Sequence, residues 1–203
     1  MVNVRMIITV ASFKGGVGKT TTAVHLAAFL NERSPALLID GDPNRSASGW
    51  LRRGGVLPFR VVDERQAARY AKDFANIIID TQARPTREDL EALAGGCDLL
   101  IIPTTPDALS LDALTLTVDA LKELGANRYR ILLTMVPPKP SRDGAEARAM
   151  LAEAGLPVFT GSIRRLSAFQ KAALIGVPVS EVKGDPRAAS GWEDYCTIGG
   201  ELS

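Results

Sequence analysis

The chain has 203 residues, of which 46% are hydrophobic and 23% charged, and its formal net charge is +1. This composition is typical of a soluble globular protein. Because the net charge is near zero, a basic surface that binds nucleic acid would have to be a local patch. Cys97 and Cys196 lie far apart without a histidine or a further cysteine at ligand spacing, so neither a zinc site nor a disulfide framework is expected. The N-terminal apolar run is too short for a membrane span and lacks the layout of a signal peptide, so we expect a cytoplasmic protein.

Short apolar runs alternate with segments of helical periodicity along the chain. The runs are rich in Leu and β-branched residues and lie at 5–11, 36–40, 59–62, 76–80, 98–104, 130–136 and 157–163. Apolar residues recur at spacings of three and four in three segments, which are predicted to be the helices Thr20–Leu30, Leu109–Leu124 and Ala145–Ala154. This alternation predicts an α/β fold, with one doubly wound, mostly parallel sheet of about seven strands in a single domain over residues 1–203.

The segment SFKGGVGKTTT, residues 12–22, follows the first predicted strand and opens the first predicted helix. It misses the generic phosphate-loop pattern, because Phe13 stands where that pattern has glycine, but it matches the deviant form K-G-G-x-G-K-[ST] at every position. The backbone N–H groups of such a loop and the N-terminus of the following helix face phosphate oxygens. We therefore predict an ATP site built from Gly15, Gly16, Val17, Gly18, Lys19, Thr20 and Thr21.

Two lysines in this loop are predicted to act differently. Lys19 is expected to reach the β- and γ-phosphates, and Thr20 to place its hydroxyl on Mg²⁺. A glycine-rich turn with two solvated lysines is the alternative. The motif and its setting resemble the ParA/MinD group of deviant Walker ATPases. In that family the early lysine reaches across a dimer to the partner's ATP, and the resemblance gives this catalytic role to Lys14, with an idle surface lysine as the alternative.

The resemblance continues at the ends of two further predicted strands. Asp40, Asp42 and Pro43 match the D-x-D-P of the family, which implies that Asp42 orients the attacking water and that Asp40 lies near the Mg²⁺ shell. The same residues could instead begin the next helix, with Pro43 in its first turn. Asp80 ends the run NIIID in the Walker B position, where it would hold Mg²⁺ through water or serve only as a turn residue. The family often continues with prolines or a glycine, whereas this chain has Thr81-Gln82-Ala83.

Weaker similarity extends to about Ile198. Residues 97–114 resemble the strand, proline and helix at the dimer face of the family, and residues 131–141 resemble the wall of the adenine site, with Thr134 and Pro137 as candidates. ParA-like members bind nonspecific DNA through a region that corresponds to residues 162–192, which hold five basic residues and two acidic ones. Such a cluster can contact phosphates without reading sequence, although solvated helix faces look similar. The candidate DNA contacts are Arg164, Arg165, Lys171 and Arg187.

The resemblance implies an ATPase that forms an ATP-bound homodimer on nucleoid DNA and acts through a partner that stimulates hydrolysis. A membrane anchor of the MinD type is disfavoured, because the C-terminal segment is acidic and interrupted by Gly199-Gly200. The iron–sulfur members of the group are disfavoured because the chain has no C-x-x-C pair. The phosphate loop lies near the N-terminus, with no segment for a helix-turn-helix before it, which is typical of short ParA proteins.

Two alternatives remain for the cargo: a plasmid with a ParB-like adaptor, or a carboxysome with an McdB-like adaptor. Some carboxysome-positioning members lack the early lysine, and since Lys14 is present here, plasmid partition is slightly favoured. Two hypotheses from other classes remain: a small-molecule ATP-dependent enzyme of the dethiobiotin synthetase type, and an ATP-gated scaffold with negligible hydrolysis.

Overall fold

The computed structural model describes residues 6–202, which fold around one parallel sheet of six strands. The strands are β1 (Met6–Ser12), β2 (Ala36–Gly41), β3 (Arg60–Asp63), β4 (Asn76–Ala83), β5 (Leu99–Thr104) and β6 (Tyr129–Leu133). The helices are α1 (Lys19–Asn31), α2 (Ser46–Arg52), α3 (Ala67–Tyr70), α4 (Arg87–Gly95), α5 (Ala108–Glu123), α6 (Asp143–Glu153), α7 (Ser167–Ile175) and α8 (Arg187–Gly200). The three helices predicted from periodicity are confirmed as α1, α5 and α6.

The strand order β3-β2-β4-β1-β5-β6 places β1 in the middle of the sheet. All pairings are parallel, so the carboxyl ends of the strands meet at one edge. Residue Asp40 at the end of β2 pairs in register with Asp80 on β4, and Asp80 pairs with Val10 on β1. The topology therefore gathers the phosphate loop and the strand-end aspartates at the edge where α/β sheets bind ligands.

Helices cover both faces of the sheet, which confirms the predicted doubly wound α/β fold. One face packs against α1, α2, α7 and α8 around fully buried side chains such as Leu26, Leu38 and Tyr195. The other face packs against α4, α5 and α6 around Leu100, Leu121 and Leu133, and α3 covers the β2–β3 end. Strands covered on both sides need apolar residues at successive positions, which is the pattern that the sequence shows.

The prediction of a seventh strand at residues 157–163 is wrong. This segment lies beside β6 but makes only two isolated bridges, Ile131 with Val158 and Val136 with Arg164. The N–H groups of Phe159 and Ile163 still donate to the β6 carbonyls of Ile131 and Leu133, but between them the N–H groups of Thr160 and Gly161 donate to the carboxylate of Glu201, at 3.0 and 2.8 Å. A side chain from the C-terminal end of the chain therefore interrupts the ladder.

The predicted strand at residues 130–136 also ends early, at Leu133. Met135 has a φ of 51°, in the left-handed region that residues with a Cβ rarely adopt and that no strand contains. The chain turns at this residue toward the phosphate loop, so the apolar segment after Leu133 lines the site instead of extending the sheet.

Candidate nucleotide site

The phosphate loop connects β1 to α1 and borders an open cleft of about 370 Å³. Two of its glycines, Gly16 and Gly18, have φ values of 79° and 87°, which residues with a Cβ adopt only with strain. These conformations turn the chain directly into the N-terminus of α1. The residues that line the cleft are Gly15, Gly16, Gly18, Lys19, Thr20, Thr21, Asp42, Asn44, Ser46, Ala83 and Met135.

Lys19 lies at the floor of this cleft with only 8% of its surface exposed. Its Nζ atom lies 3.5 Å from the carbonyl oxygen of Lys14, across the loop. Burial lowers the pKa of the Lys19 ammonium, and the negative charges of Asp80 and Asp42 oppose that shift. A buried cation next to two carboxylates and an open cleft is suited to binding an anionic phosphate.

Asp80 is fully buried, and neither oxygen of its carboxylate has a hydrogen-bond partner within the described part of the chain. Burial raises the pKa of this carboxyl to about 7; the Thr20 hydroxyl, which is nearby but outside hydrogen-bond geometry, and the charge of Lys19 oppose the rise, while Asp40 adds to it. Because buried carboxylates in folded proteins are almost always satisfied, an unpartnered one beside a phosphate loop has the chemistry of a cation ligand. Thr20 and Asp80 therefore have the character expected of residues that hold Mg²⁺.

The two aspartates that follow β2 are held by the turn between β2 and α2. Asp40 is buried, and its carboxylate accepts from the N–H groups of Asp42 at 3.3 Å and Ser48 at 2.8 Å. The carboxylate of Asp42 accepts from the N–H of Asn44 at 2.9 Å and from the hydroxyl of Ser46 at 3.2 Å. The alternative in which Pro43 begins a helix is therefore not observed, since α2 begins only at Ser46.

These bonds give the two aspartates different functions in the structure. Asp42 lines the cleft, whereas Asp40 fixes the loop that carries Asp42. Within residues 6–202, no group of three His, Cys, Asp or Glu side chains has the arrangement of a metal site. Mg²⁺ commonly binds one or two protein carboxylates together with water and substrate phosphates, so Thr20 and Asp80 with a nucleotide would suffice.

Lys14 lies at the front of the loop and contacts the N-terminus of α5. Its Nζ atom donates to the hydroxyl of Ser110 at 2.7 Å and to the carboxylate of Asp107 at 3.1 Å, and about a third of its side chain is exposed. Asp107 also accepts from the hydroxyl of Thr105 and caps α5, and these bonds hold the pKa of its carboxyl well below the ordinary value. Asp107 and Ser110 were not predicted as partners of Lys14, although the segment TPDALS carries the signature of a helix N-cap.

A second, largely apolar pocket of about 190 Å³ adjoins the phosphate loop. It shares Gly18, Thr21 and Met135 with the phosphate cleft. Its other lining residues are Thr134, Ile163, Arg164, Arg165, Leu166, Phe169, Gln170, Ala173 and Tyr195. A flat heteroaromatic base attached to a bound phosphate would fit this position.

Of the two residues predicted for the adenine wall, Thr134 lines this pocket and Pro137 does not. The hydroxyl of Thr134 donates to the carbonyl oxygens of Val17 at 2.8 Å and Thr104 at 3.1 Å, so it anchors the phosphate loop to the sheet. No local sequence signal marks Phe169 and Tyr195, because helix packing brings both to the pocket from distant segments.

The four basic residues predicted to contact DNA fall into two groups. Arg164 donates to the carboxylate of Asp194 at 2.9 Å and to the carbonyl of Ser190 at 2.7 Å, which ties the chain before α7 to α8. The Nζ atom of Lys171 lies 2.7 Å from the carboxylate of Asp185. Arg165 and Arg187 are exposed.

Comparison with known proteins agrees with this geometry. A family model described as the CobQ/CobB/MinD/ParA nucleotide binding domain matches residues 8–179, which include the phosphate loop and the aspartates that follow β2 and β4. The chain belongs to this family. It is thus a nucleotide-binding protein with the ParA/MinD ATPase fold, as the deviant phosphate loop predicted.

Within the ParA/MinD family, two relatives are informative. Maintenance of carboxysome distribution protein A of Gloeobacter kilaueensis is 35% identical over 202 residues, which cover 97% of this chain and 93% of that protein. Protein ParA of Rhizobium radiobacter is 32% identical over 167 residues, which cover 75% of each chain. Both relatives are thus similar to this chain over three quarters or more of its length.

The solved structure of a Cyanothece McdA variant in complex with ATP has the same fold. It aligns with a TM-score of 0.74 at 21% identity and covers 96% of each chain. Within the part of the chain that the structure describes, no helix combines the length and the apolar character needed to cross a membrane.

Proposed function

We propose that this chain hydrolyses ATP, dimerises around it, binds nonspecific DNA in that state, and positions a cargo through an adaptor protein that stimulates hydrolysis. The observation that carries the proposal is the buried, unpartnered carboxylate of Asp80 beside Lys19 and Thr20 in the phosphate cleft. A cation and a polyphosphate in that cleft would satisfy all three groups.

The residues of the cleft would have different roles in phosphoryl transfer. The loop N–H groups and Lys19 bind the phosphates, and Thr20 and Asp80 hold Mg²⁺, which when bound neutralises charge on the phosphate oxygens. Asp42, on a turn that lines the cleft, accepts a proton or a hydrogen bond from water and orients it toward the terminal phosphate. Asp40 positions Asp42 through its backbone N–H.

Lys14 is the residue that would make hydrolysis depend on dimerisation. It is half-buried at the front of the loop, at the end of a flexible side chain, and its contacts with Asp107 and Ser110 lie near the surface. A lysine that leaves these contacts for the partner's ATP would supply a cation in trans, as arginine fingers do. Each bound nucleotide would then join both subunits, giving a homodimer specific to the ATP state.

DNA binding is proposed for the exposed pair Arg165 and Arg187, with Arg164 and Lys171 able to contribute only if their ion pairs open. Dimerisation would duplicate the patch and double the number of phosphate contacts, so that ATP controls affinity steeply.

Two cargoes are proposed, a plasmid and a protein compartment. The presence of Lys14 favours plasmid partition, while the similarity to the carboxysome distribution protein of Gloeobacter kilaueensis over 97% of the chain favours a compartment. The longer coverage of that relative supports a compartment with an McdB-like adaptor as the first candidate and a plasmid with a ParB-like adaptor as the second.

The test is the binding of Asp42→Ala to a random-sequence DNA duplex with ATP, with ADP and without nucleotide, across a salt series. We expect binding that requires ATP, ignores sequence and weakens steeply with salt. Absence of DNA binding at low salt in every nucleotide state, with dimerisation intact, would contradict the proposal.

A further inference from the structure

Two groups of large aliphatic side chains are exposed on opposite faces of the sheet. Leu109 and Leu116 of α5 are 73% and 65% exposed and border the same hollow as Lys14, so the proposed ATP dimer accounts for them. The second group lies on the other face, where α2 meets α7, and neither the ATP site nor the proposed dimer uses it. We call this group the α2–α7 corner; its members are Leu51, Val56, Leu174 and Ile175.

Backbone contacts make the α2–α7 corner one continuous surface. The indole N–H of Trp50 donates to the carbonyl oxygen of Val177 at 3.1 Å, and the guanidinium of Arg53 donates to that of Ala173 at 2.8 Å. Gly55 and Gly176 approach so closely that a Cβ on Gly55 would lie 2.3 Å from the Gly176 carbonyl oxygen. These hydrogen bonds and this close packing hold residues 50–55 against residues 173–177, although the two segments are distant in sequence.

The exposure of the corner is high for side chains of this size. Val56 is 84% exposed, Leu174 74%, Ile175 45% and Leu51 42%. Single exposed aliphatic side chains are normal on protein surfaces, but four on adjoining segments form a patch of the kind that marks interaction sites.

The charged side chains on the segments that form the α2–α7 corner are basic. Residues 51–56 and 171–177 contain Arg52, Arg53 and Lys171 and no aspartate or glutamate. Arg52 and Arg53 are exposed beside Leu51, while Lys171 is paired with Asp185. An occupant that covers the aliphatic side chains would therefore place acidic groups against Arg52 and Arg53.

We propose that the α2–α7 corner is the docking site for an acidic amphipathic segment of a partner protein, which inserts apolar side chains between Val56 and Leu174. The inference rests on the proposed function in taking this partner to be the cargo adaptor. Duplex DNA presents phosphates that would leave the four aliphatic side chains exposed, and a second copy of the chain is already assigned to the face around Lys14.

The experiment uses the full chain and three synthetic 20-residue helical peptides as probes. One carries leucines at positions i, i+3 and i+7, spaced glutamates on the opposite face and alanines elsewhere, since adjacent like charges would destabilise the helix. The second has lysines in place of the glutamates, and the third has serines in place of the leucines. Fluorescence anisotropy measures their binding without nucleotide and with ATP. We expect the acidic leucine peptide to bind at least about tenfold more tightly than either control.

Substitutions at the α2–α7 corner test whether the acidic leucine peptide binds there. Val56→Ser combined with Leu174→Ser, and separately Arg52→Glu, should each weaken the acidic peptide at least about tenfold. Met150→Ser, which changes a 47% exposed side chain on α6, should leave it unchanged. Thermal melting verifies that each variant is folded, which is expected because the altered side chains are exposed.

Several results would overturn the proposal: equal binding of the acidic and basic peptides, no binding of any peptide, or binding unaffected by the double substitution. Binding to phosphatidylglycerol vesicles, binding to duplex DNA and nucleotide-free self-association would each overturn it only if the double substitution Val56→Ser with Leu174→Ser abolishes that binding, since the corner would then have another occupant. ATP hydrolysis and ATP-dependent DNA binding, measured on the wild-type chain in parallel, separate failure of the docking site from failure of the proposed function.

Discussion

The ammonium of Lys14 lies 2.7 Å from the hydroxyl oxygen of Ser110, so the early lysine of the phosphate loop is hydrogen-bonded to α5 of its own chain. Asp107 at the N-cap of the same helix adds a carboxylate contact at 3.1 Å. The two lysines of the loop are therefore in different environments, since Lys19 is buried in the cleft and Lys14 is held at its rim.

The first prediction separates the functions of these lysines. Lys19→Ala should abolish measurable ATP binding, because it removes the buried cation of the cleft. Lys14→Ala should leave ATP affinity within about threefold but slow hydrolysis at least about 100-fold, since a cation supplied in trans contributes this much or more in related chemistry. Fluorescent-nucleotide titration and phosphate-release assays measure the two effects. Hydrolysis at the wild-type rate by Lys14→Ala would identify Lys14 as an ordinary surface lysine.

The second prediction concerns Asp80 and pH. With its pKa raised to about 7, the Asp80 carboxyl keeps its proton in the folded protein at pH values where the unfolded chain has lost it. The stability of the nucleotide-free protein should therefore fall as pH rises from about 4 to 7. Asp80→Asn should remove this loss and stabilise the nucleotide-free protein at pH 8 by on the order of 2–4 kcal/mol. Chemical denaturation in EDTA at pH 5 and pH 8 measures the change.

Asp80→Asn should at the same time lose the stabilisation that Mg²⁺ and ATP give to the wild-type protein. The matched control is Asp119→Asn on the exposed side of α5, which should behave as wild type in both measurements. An Asp80→Asn variant that is less stable than wild type at pH 8 without ligand would show that Asp80 has a structural partner.

The third prediction tests the proposed DNA surface. Arg165→Glu combined with Arg187→Glu should weaken ATP-dependent binding to random DNA at least about tenfold and reduce the salt slope. Arg87→Glu with Arg142→Glu makes the same change in net charge on α4 and at the start of α6 and should have little effect. Equal losses in both double variants would mean that only the total charge matters.

The fourth prediction concerns Glu201, which replaces a strand as the partner of residues 160 and 161. Its carboxylate accepts from both backbone N–H groups, from the Thr160 hydroxyl at 2.7 Å and from Arg130 at 2.7 Å. These bonds outweigh burial and lower the pKa of the carboxyl. Glu201→Ala should therefore cost about 2–4 kcal/mol of stability, because it leaves Arg130 and two N–H groups without their partner. Glu153→Ala on α6 is the control, and equal urea midpoints for the two variants would contradict this account.

Much of the nucleotide site could be predicted because its signals are local. The spacing of Lys14 and Lys19 around three glycines lies within one short segment, and Asp40, Asp42 and Asp80 each follow an apolar run. In a parallel sheet such residues meet at the carboxyl edge, so the chain order already placed them together.

Other features depend on residues that are distant in sequence. Nothing near Lys14 in the sequence identifies Asp107 and Ser110 as its partners, and nothing near Arg164 shows that Asp194 binds its guanidinium. The seventh strand was predicted wrongly because an apolar run cannot reveal that Glu201, some 40 residues later, accepts from the N–H groups of Thr160 and Gly161 and interrupts the pairing with β6.

The sequence by itself determined the α/β fold, the family and the composition of the phosphate site, since these follow from local periodicity and from a loop whose glycines must turn sharply. Only the tertiary structure decided which charges are paired, which carboxylate is buried without a partner, and which aliphatic side chains stay exposed at the α2–α7 corner. Those properties depend on the packing of helices against the sheet, which brings distant residues within hydrogen-bond distance or leaves them in solvent.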